Sequence, residues 1–264
     1  MPGSSGGRRR GIGPTDVALV LACALAVLLA GPRPDPAAPA RPDAAPAAVR
    51  QVAQPLGAPA LGTPAYDTDG VQRRLSASVG PAVALTFDDG PDPRWTPTVL
   101  AQLRAHRVRA VFCLVGQHVS RHPELVRRIA ADGHALCNHS WSHDEAMQRR
   151  SAASVSAELA RTTRAITSAA GRPPQFYRAP GGNFAPAAIA EARRQKLRLL
   201  GWSVDPYDWR RPSAAEITRR VLAGTRPGAV ILLHDGYGAR GNTVTALRAV
   251  LAALPARQLR VVTP

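Results

Sequence analysis

The chain has 264 residues, 34 Lys or Arg against 18 Asp or Glu, a formal net charge of +16 and 45% apolar side chains. That apolar share excludes a wholly disordered chain, and the length allows one or two domains. The basic excess extends over residues 76–264, with 26 basic and 13 acidic side chains, and would attract anionic partners without choosing among them. Arg, Ala, Pro and Gly share GC-rich codons, and a compositional bias is the favoured reading of the arginine excess.

Residues 8–10 are Arg-Arg-Arg, and fourteen uncharged, mostly aliphatic residues follow from Val17 to Ala30. This is the pattern of a secretory signal, and it is short for a membrane span of about 20 residues. Residues 1–31 are therefore expected to export the protein, as a cleaved signal peptide or as an uncleaved anchor, because Ala30-Gly31-Pro32 is a poor cleavage site. Gly31 to Pro64 holds 9 Pro and 10 Ala in 34 residues, without apolar periodicity. Residues 32–77 are accordingly expected to be a Pro/Ala-rich disordered spacer, with a reach on the order of 100 Å.

From Ser78 the texture changes to a regular alternation. Apolar runs predict buried strands at 82–87, 108–115, 134–137, 175–178, 197–203, 229–233 and 258–262. Helical periodicity predicts helices at 96–106, 123–132, 152–170, 186–196, 213–223 and 243–254. Strand and helix in alternation imply βαβ units and a parallel sheet. About seven parallel strands with six helices between them fit an α/β fold of the distorted, incomplete (β/α) barrel type, over residues 78–264. In such folds function sits where strands end.

The first of these strands ends in Thr86-Phe87-Asp88-Asp89-Gly90-Pro91. Adjacent carboxylates at the mouth of a buried strand need a metal, an arginine or a proton to compensate them; a plain Asp-Asp-Gly turn is the competing reading. The third runs into Asn138-His139-Ser140-Trp141-Ser142-His143, whose two imidazoles face one point if the segment makes a helical turn. Two His and one carboxylate suit both zinc hydrolases and non-haem iron oxygenases. Tyr177-Arg178-Ala179-Pro180-Gly181-Gly182, Trp202 through Trp209, and Leu232-Leu233-His234-Asp235 follow further strands. The five segments hold six of the twelve aromatics: Phe87, Trp141, Tyr177, Trp202, Tyr207 and Trp209.

The ordered set TFDDGP, HSWSH, RAPGG, DPYDW and LLHD resembles the five motifs of the polysaccharide deacetylases, the NodB-homology or carbohydrate esterase family 4 enzymes, over roughly residues 80–264. The resemblance implies a divalent metal, most often zinc, and hydrolysis of acetyl groups on glycans. It makes Asp89, His139 and His143 the metal ligands, Asp88 the general base held by Arg178, and His234 the general acid oriented by Asp208. It places Gly181, Trp209 and Leu232 against the substrate, the first through its backbone N–H and the others around the acetyl methyl. An Asp208 partner would raise the pKa of His234. Where many members have an aromatic after the proline of the third motif, this chain has Gly181-Gly182, which removes a wall of the groove. Asp205 is open between a structural role and the site.

The expected substrate is an acetylated glycan, with peptidoglycan favoured by the export signal, the spacer and the basic charge; chitooligosaccharide and acetylxylan are the alternatives. Nucleic-acid binding would account for the charge but not for the motifs, and no nucleic-acid partner is expected. The protein is expected outside the cell or at the wall, as a monomer. Cys113 and Cys137 are read as buried thiols packing like small apolar groups, in preference to a disulfide. His106, His118, His122 and His134 are read as solvated or capping residues.

Overall fold

The computed structural model describes residues 65–264, so the export signal and nearly all of the spacer lie outside the described residues. Two short strands come first, β1 (Ala65–Tyr66) and β2 (Gln72–Arg74), paired antiparallel. The chain then runs through β3 (Ala82–Asp88), α1 (Thr96–Ala105), β4 (Val111–Leu114), α2 (Gly116–Arg121), α3 (Pro123–Ala131), β5 (Ala135–Asn138) and α4 (Ala152–Ala170). It continues with β6 (Phe176–Tyr177), α5 (Pro186–Arg194), β7 (Arg198–Leu199), α6 (Ala214–Gly224), β8 (Val230–His234), α7 (Gly241–Ala256) and β9 (Arg260–Val261). Among the described residues, no helix is long and apolar enough to cross a membrane.

Local chemistry sets several helix boundaries. Pro occupies the first turn of α1, α3 and α5, where its missing N–H costs no hydrogen bond. Ser151 and Ser213 accept backbone N–H groups at the starts of α4 and α6, and Gly171 ends α4 in the left-handed conformation.

The seven strands from β3 onward form one parallel sheet in the order β7-β6-β5-β4-β3-β8, with β9 also on β3. Strand alternation divides it into two faces. Val83, Leu85 and Phe87 of β3, with Phe112, Leu114, Leu136, Ile231 and Leu233, pack beneath the helices in the main core. Ala82, Ala84, Val111, Cys113, Cys137 and Val230 point to the other face and fill the inside of the curved sheet. Thr86 and Asp88 continue that inner row of β3, and Leu232 and His234 continue it on β8. One periodicity thus lays a core along most of the strand and a polar site at its carboxyl end.

The sheet is left open between β7 and β8. Gln72 bridges to Leu200, Arg74 bridges to Ala229, and Val204 bridges to Ile231 across this gap. Val71 and Leu75 are buried there. The folded region therefore begins before residue 78, and residues 65–77, read from composition as spacer, are part of the domain. Their apolar content is low because they fill one gap of a sheet instead of forming a layer of their own.

Cys113 and Cys137 are Cα partners on β4 and β5 and are joined in a disulfide, which corrects the free-thiol reading. Both point to the inner face, so parallel pairing in register brings the sulfurs together. The bond ties the strand that adjoins Asp88 to the strand that ends in the His139 turn.

Two of the four histidines set aside as surface residues are also corrected. His134 is buried, accepts the Ala110 N–H through Nδ1, and is pushed down to about 4 by burial. His118 reaches the Asp89 backbone carbonyl at 2.7 Å. His106 is exposed at the end of α1, and His122 separates α2 from α3, as expected of capping residues.

Candidate metal centre and active site

β3 delivers Asp88 and then turns at Asp89, which takes a left-handed φ of 77°. Both carboxylates are buried. The His139–His143 segment is a loop and not the helical turn expected for an i, i+4 pair: Ser140 and His143 both have positive φ. Hydrogen bonds from the segment itself and from α4 hold its shape. Asn138 Oδ1 accepts the Ser140 N–H, Ser140 Oγ accepts the His143 N–H, and Glu158 of α4 accepts the N–H groups of Trp141 and Ser142 at 2.9 Å each.

The side chains converge as the motifs require. His143 Nε2 lies 3.2 Å and His139 Nε2 lies 3.6 Å from Asp89 Oδ1. His139 Nδ1 is 2.8 Å from the Arg178 carbonyl. A carbonyl only accepts, so Nδ1 carries a proton, and Nε2 is the nitrogen turned toward the carboxylate. Asp89 Oδ1 is buried with no hydrogen-bond partner, and one donor atom from each of Asp89, His139 and His143 lies within 4.8 Å of the others. Two imidazole nitrogens and an otherwise orphaned carboxylate oxygen fit a divalent cation. Burial pushes the Asp89 carboxyl up, but the two imidazoles and the charge on His234 outweigh it and hold it well below the usual carboxylate range.

The candidate base and acid stand side by side on the inner face because Asp88 and His234 are Cα partners on the parallel strands β3 and β8. Arg178, fully buried, donates through Nη1 to Asp88 Oδ1 at 2.6 Å and to Thr86 Oγ1 at 2.8 Å, and through Nε and Nη2 to the carbonyls of Leu200 and Gly201. It is fixed at every donor named, so the position of Asp88 Oδ1 is fixed with it. Asp208 accepts three hydrogen bonds: from His234 Nδ1 at 2.7 Å, from the His234 backbone N–H at 3.0 Å and from Thr243 Oγ1 at 2.9 Å. Burial works against protonating His234, but the bond to Asp208 and the charges of Asp208, Asp89 and Asp88 raise its pKa to about 9.

The remaining expected residues lie around this pair. Leu232 is buried on the inner face two residues before His234, and Trp209 stands 45% exposed on the 3-10 turn that carries Asp208. Gly181 and Gly182 both have positive φ, and a Cβ on Gly182 would come within 2.8 Å of the Trp202 indole. The glycines are thus needed where they stand, with Trp202 packed into the place of a side chain. Asp205 Oδ1 accepts the Tyr207 N–H at 2.7 Å and shapes the turn before Asp208.

Sequence reasoning missed two charged residues in this neighbourhood, Arg240 and Glu158, and gave no role to a third, Asp235, which it quoted only as the end of the fifth motif. Arg240, buried before α7, donates from Nε to the Gly236 carbonyl and brings Nη2 to 3.7 Å from Asp89 Oδ2. Each member of the Asp88-Asp89 pair therefore has its own guanidinium. Asp235 is fully buried, accepts from Thr96 Oγ1 at 2.6 Å, and is pushed up to about 7 by burial and by the charges of Asp89 and Asp88, against the effect of the Thr96 bond. Its adjacency to His234 was the available signal. Glu158 carried none, being one acidic residue on a long helix. Glu158→Ala is expected to weaken metal binding about tenfold, the low end for residues that orient ligands. Competition with a chromogenic chelator measures it, and unchanged affinity would show that the loop holds its shape without Glu158.

Comparison with known proteins places this geometry among relatives. Residues 77–200 match the family model described as polysaccharide deacetylase. A chitooligosaccharide deacetylase of Bradyrhizobium sp. is 42% identical over 188 residues, 67% of this chain and 85% of that protein. A peptidoglycan-N-acetylglucosamine deacetylase of Bacillus cereus is 37% identical over 182 residues, 69% of this chain and 66% of that protein. The crystal structure of the Bc1960 peptidoglycan N-acetylglucosamine deacetylase superposes with a TM-score of 0.67 at 37% identity, covering 69% of this chain and 85% of that one.

Proposed function

The chain belongs to the polysaccharide deacetylase family of hydrolases, and on that premise we propose that it removes N-acetyl groups from cell-wall glycans, with peptidoglycan amino sugars as its principal substrate. The observation that carries the reading is the pairing of Asp88 with His234 across β3 and β8, directly beside the Asp89, His139 and His143 donors.

Asp89, His139 and His143 would hold a divalent cation, and the two-imidazole, one-carboxylate set favours zinc. Such an ion supplies a bound water of lowered pKa and a Lewis acid for the acetyl carbonyl. Asp88 Oδ2, left free by the Arg178 bond to Oδ1, takes the proton of the attacking water. His234, protonated and oriented by Asp208, gives its proton to the amine nitrogen as the C–N bond breaks and a C–O bond replaces it. The products are acetate and a free amino sugar. The Gly181 N–H is proposed to meet the developing oxyanion, and Leu232 and Trp209 to enclose the acetyl methyl.

The substrate preference is supported by the signal-like residues 1–31, the Pro/Ala-rich stretch after them and the basic domain, which suits an anionic wall. Export, with the leader cut or kept as an anchor, is part of the proposal, as are action as a monomer and the absence of a nucleic-acid partner. The Bradyrhizobium relative gives a specific reason to keep chitooligosaccharides as the second reading. Acetate release from purified peptidoglycan, chitin oligomers and acetylxylan, measured side by side, separates these. Release from peptidoglycan that stops on chelation and returns with added zinc is expected; release from acetylxylan alone would refute the wall assignment.

A further inference from the structure

Tyr237 lies in the loop after β8, outside the five sequence motifs, and combines exposure with fixed geometry. The residue is 42% exposed, and it holds a left-handed φ of 49°, a conformation that disfavours bulky residues. Close packing and two hydrogen bonds hold the loop in this shape. A Cβ at Gly236 would collide with the Asp89 backbone, Arg240 Nε donates to the Gly236 carbonyl, and Trp95 Nε1 donates to the Gly238 carbonyl at 2.7 Å.

Thus clamped, the Tyr237 ring sits 5.2 Å between centroids from His143 and 4.7 Å from His118. His143 is a metal-donor candidate, and His118 holds the Asp89 carbonyl. The ring therefore stands against the donor set, with a large part of its surface open to solvent. The other exposed aromatics in the loops beyond the strand ends are Tyr207 and Trp209, which flank Asp208. Gly181-Gly182 contributes no side chain.

We infer that Tyr237 is a glycan-binding residue, its ring a platform for the apolar face of a pyranose adjoining the acetamide that reacts between Asp88 and His234. Rigid, half-exposed aromatics present large contact area at small entropic cost, and sugars bind them through C–H faces. The inference rests on the deacetylase reading and adds to it the residue that makes the enzyme recognise a polymer instead of an isolated acetyl group.

The test compares the full chain with Tyr237→Ala and Tyr237→Phe on chitin oligomers, on purified peptidoglycan and on 4-nitrophenyl acetate, with zinc content determined for each. Tyr237→Ala is expected to lose about tenfold more kcat/KM on the glycans than on the ester, chiefly through KM, with zinc content near that of wild type. Tyr237→Phe, which keeps the ring and folds on the same backbone, should retain most of the glycan activity. Equal losses on ester and glycan, or lost zinc in Tyr237→Ala, would reduce Tyr237 to packing on His143 and overturn the inference. A Phe variant as impaired as Ala would overturn it by pointing to the hydroxyl. A wild-type protein active on glycans and matched by Tyr237→Ala overturns this inference alone, whereas a zinc-loaded wild type that releases acetate from no glycan overturns the deacetylase reading together with it.

Discussion

Asp88→Asn is expected to keep its divalent metal and lose about 10²–10⁴-fold in kcat, whereas His139→Ala is expected to lose the metal itself. Asn preserves the shape of the side chain and an oxygen for Arg178 Nη1, so the surroundings need not move. It cannot take a proton from water, which is the function assigned to Asp88 Oδ2. His139 differs because its Nε2 is one of three donors and its Nδ1 is tied to the Arg178 carbonyl at 2.8 Å. Distance to His139 alone does not separate the carboxylates: Asp88 Oδ2 and Asp89 Oδ1 are both 3.6 Å from its Nε2. The separation rests on Arg178, which occupies Asp88, and on His143, which approaches Asp89 at 3.2 Å. Metal analysis after dialysis, paired with acetate release, measures both effects. Equal metal loss in the two variants would mean that Asp88 is a ligand.

What could be read before the structure follows from which interactions are local. Buried parallel strands are continuous apolar runs, so Ala82–Phe87 and Ala229–Leu233 announced themselves, and the ionisable residues that ended those runs were the site. The pairing of Asp88 with His234 needs only the β3–β8 register and is the consequence of two neighbouring parallel strands ending level. The hairpin at 65–74 could not be read this way, since its short strands exist because β7 and β8 leave a gap. The helical turn on which the His139–His143 reading was conditional does not form, because side-chain bonds from Asn138, Ser140 and Glu158 take the backbone N–H groups of the segment in a loop with left-handed residues at Ser140 and His143. The disulfide was missed for a similar reason. Cys113 and Cys137 occupy the same position in their strands, but only the observed register, Cys113 opposite Cys137, shows that they meet. Arg240 lay hidden as one arginine among many, and only its approach to Asp89 distinguishes it.

Asp208→Asn is expected to move the alkaline limb of the kcat–pH profile downward and to cost about 10²–10⁴-fold at the wild-type optimum, the usual range for a positioned acid. His234 must be protonated to give its proton to the amine, so activity falls as pH rises through its pKa in the folded protein, about 9. Burial opposes the charged imidazole. Four influences overcome burial: the hydrogen bond and the charge of Asp208, and the charges of Asp89 and of Asp88. A cation held by Asp89 offsets part of the last two, so in the loaded enzyme Asp208 carries most of the upward shift and the limb lies somewhat below that value. The amide introduced by Asp208→Asn would keep an oxygen for the Nδ1–H but no charge, leaving burial to push the imidazole toward or below its ordinary pKa near 6.5. The acid would then be deprotonated at neutral pH. Profiles of kcat against pH for both proteins, at saturating substrate and constant zinc, read this directly. A limb that stays in place while kcat falls would show that Asp208 only orients His234, through the bonds it accepts from Nδ1 and the backbone N–H.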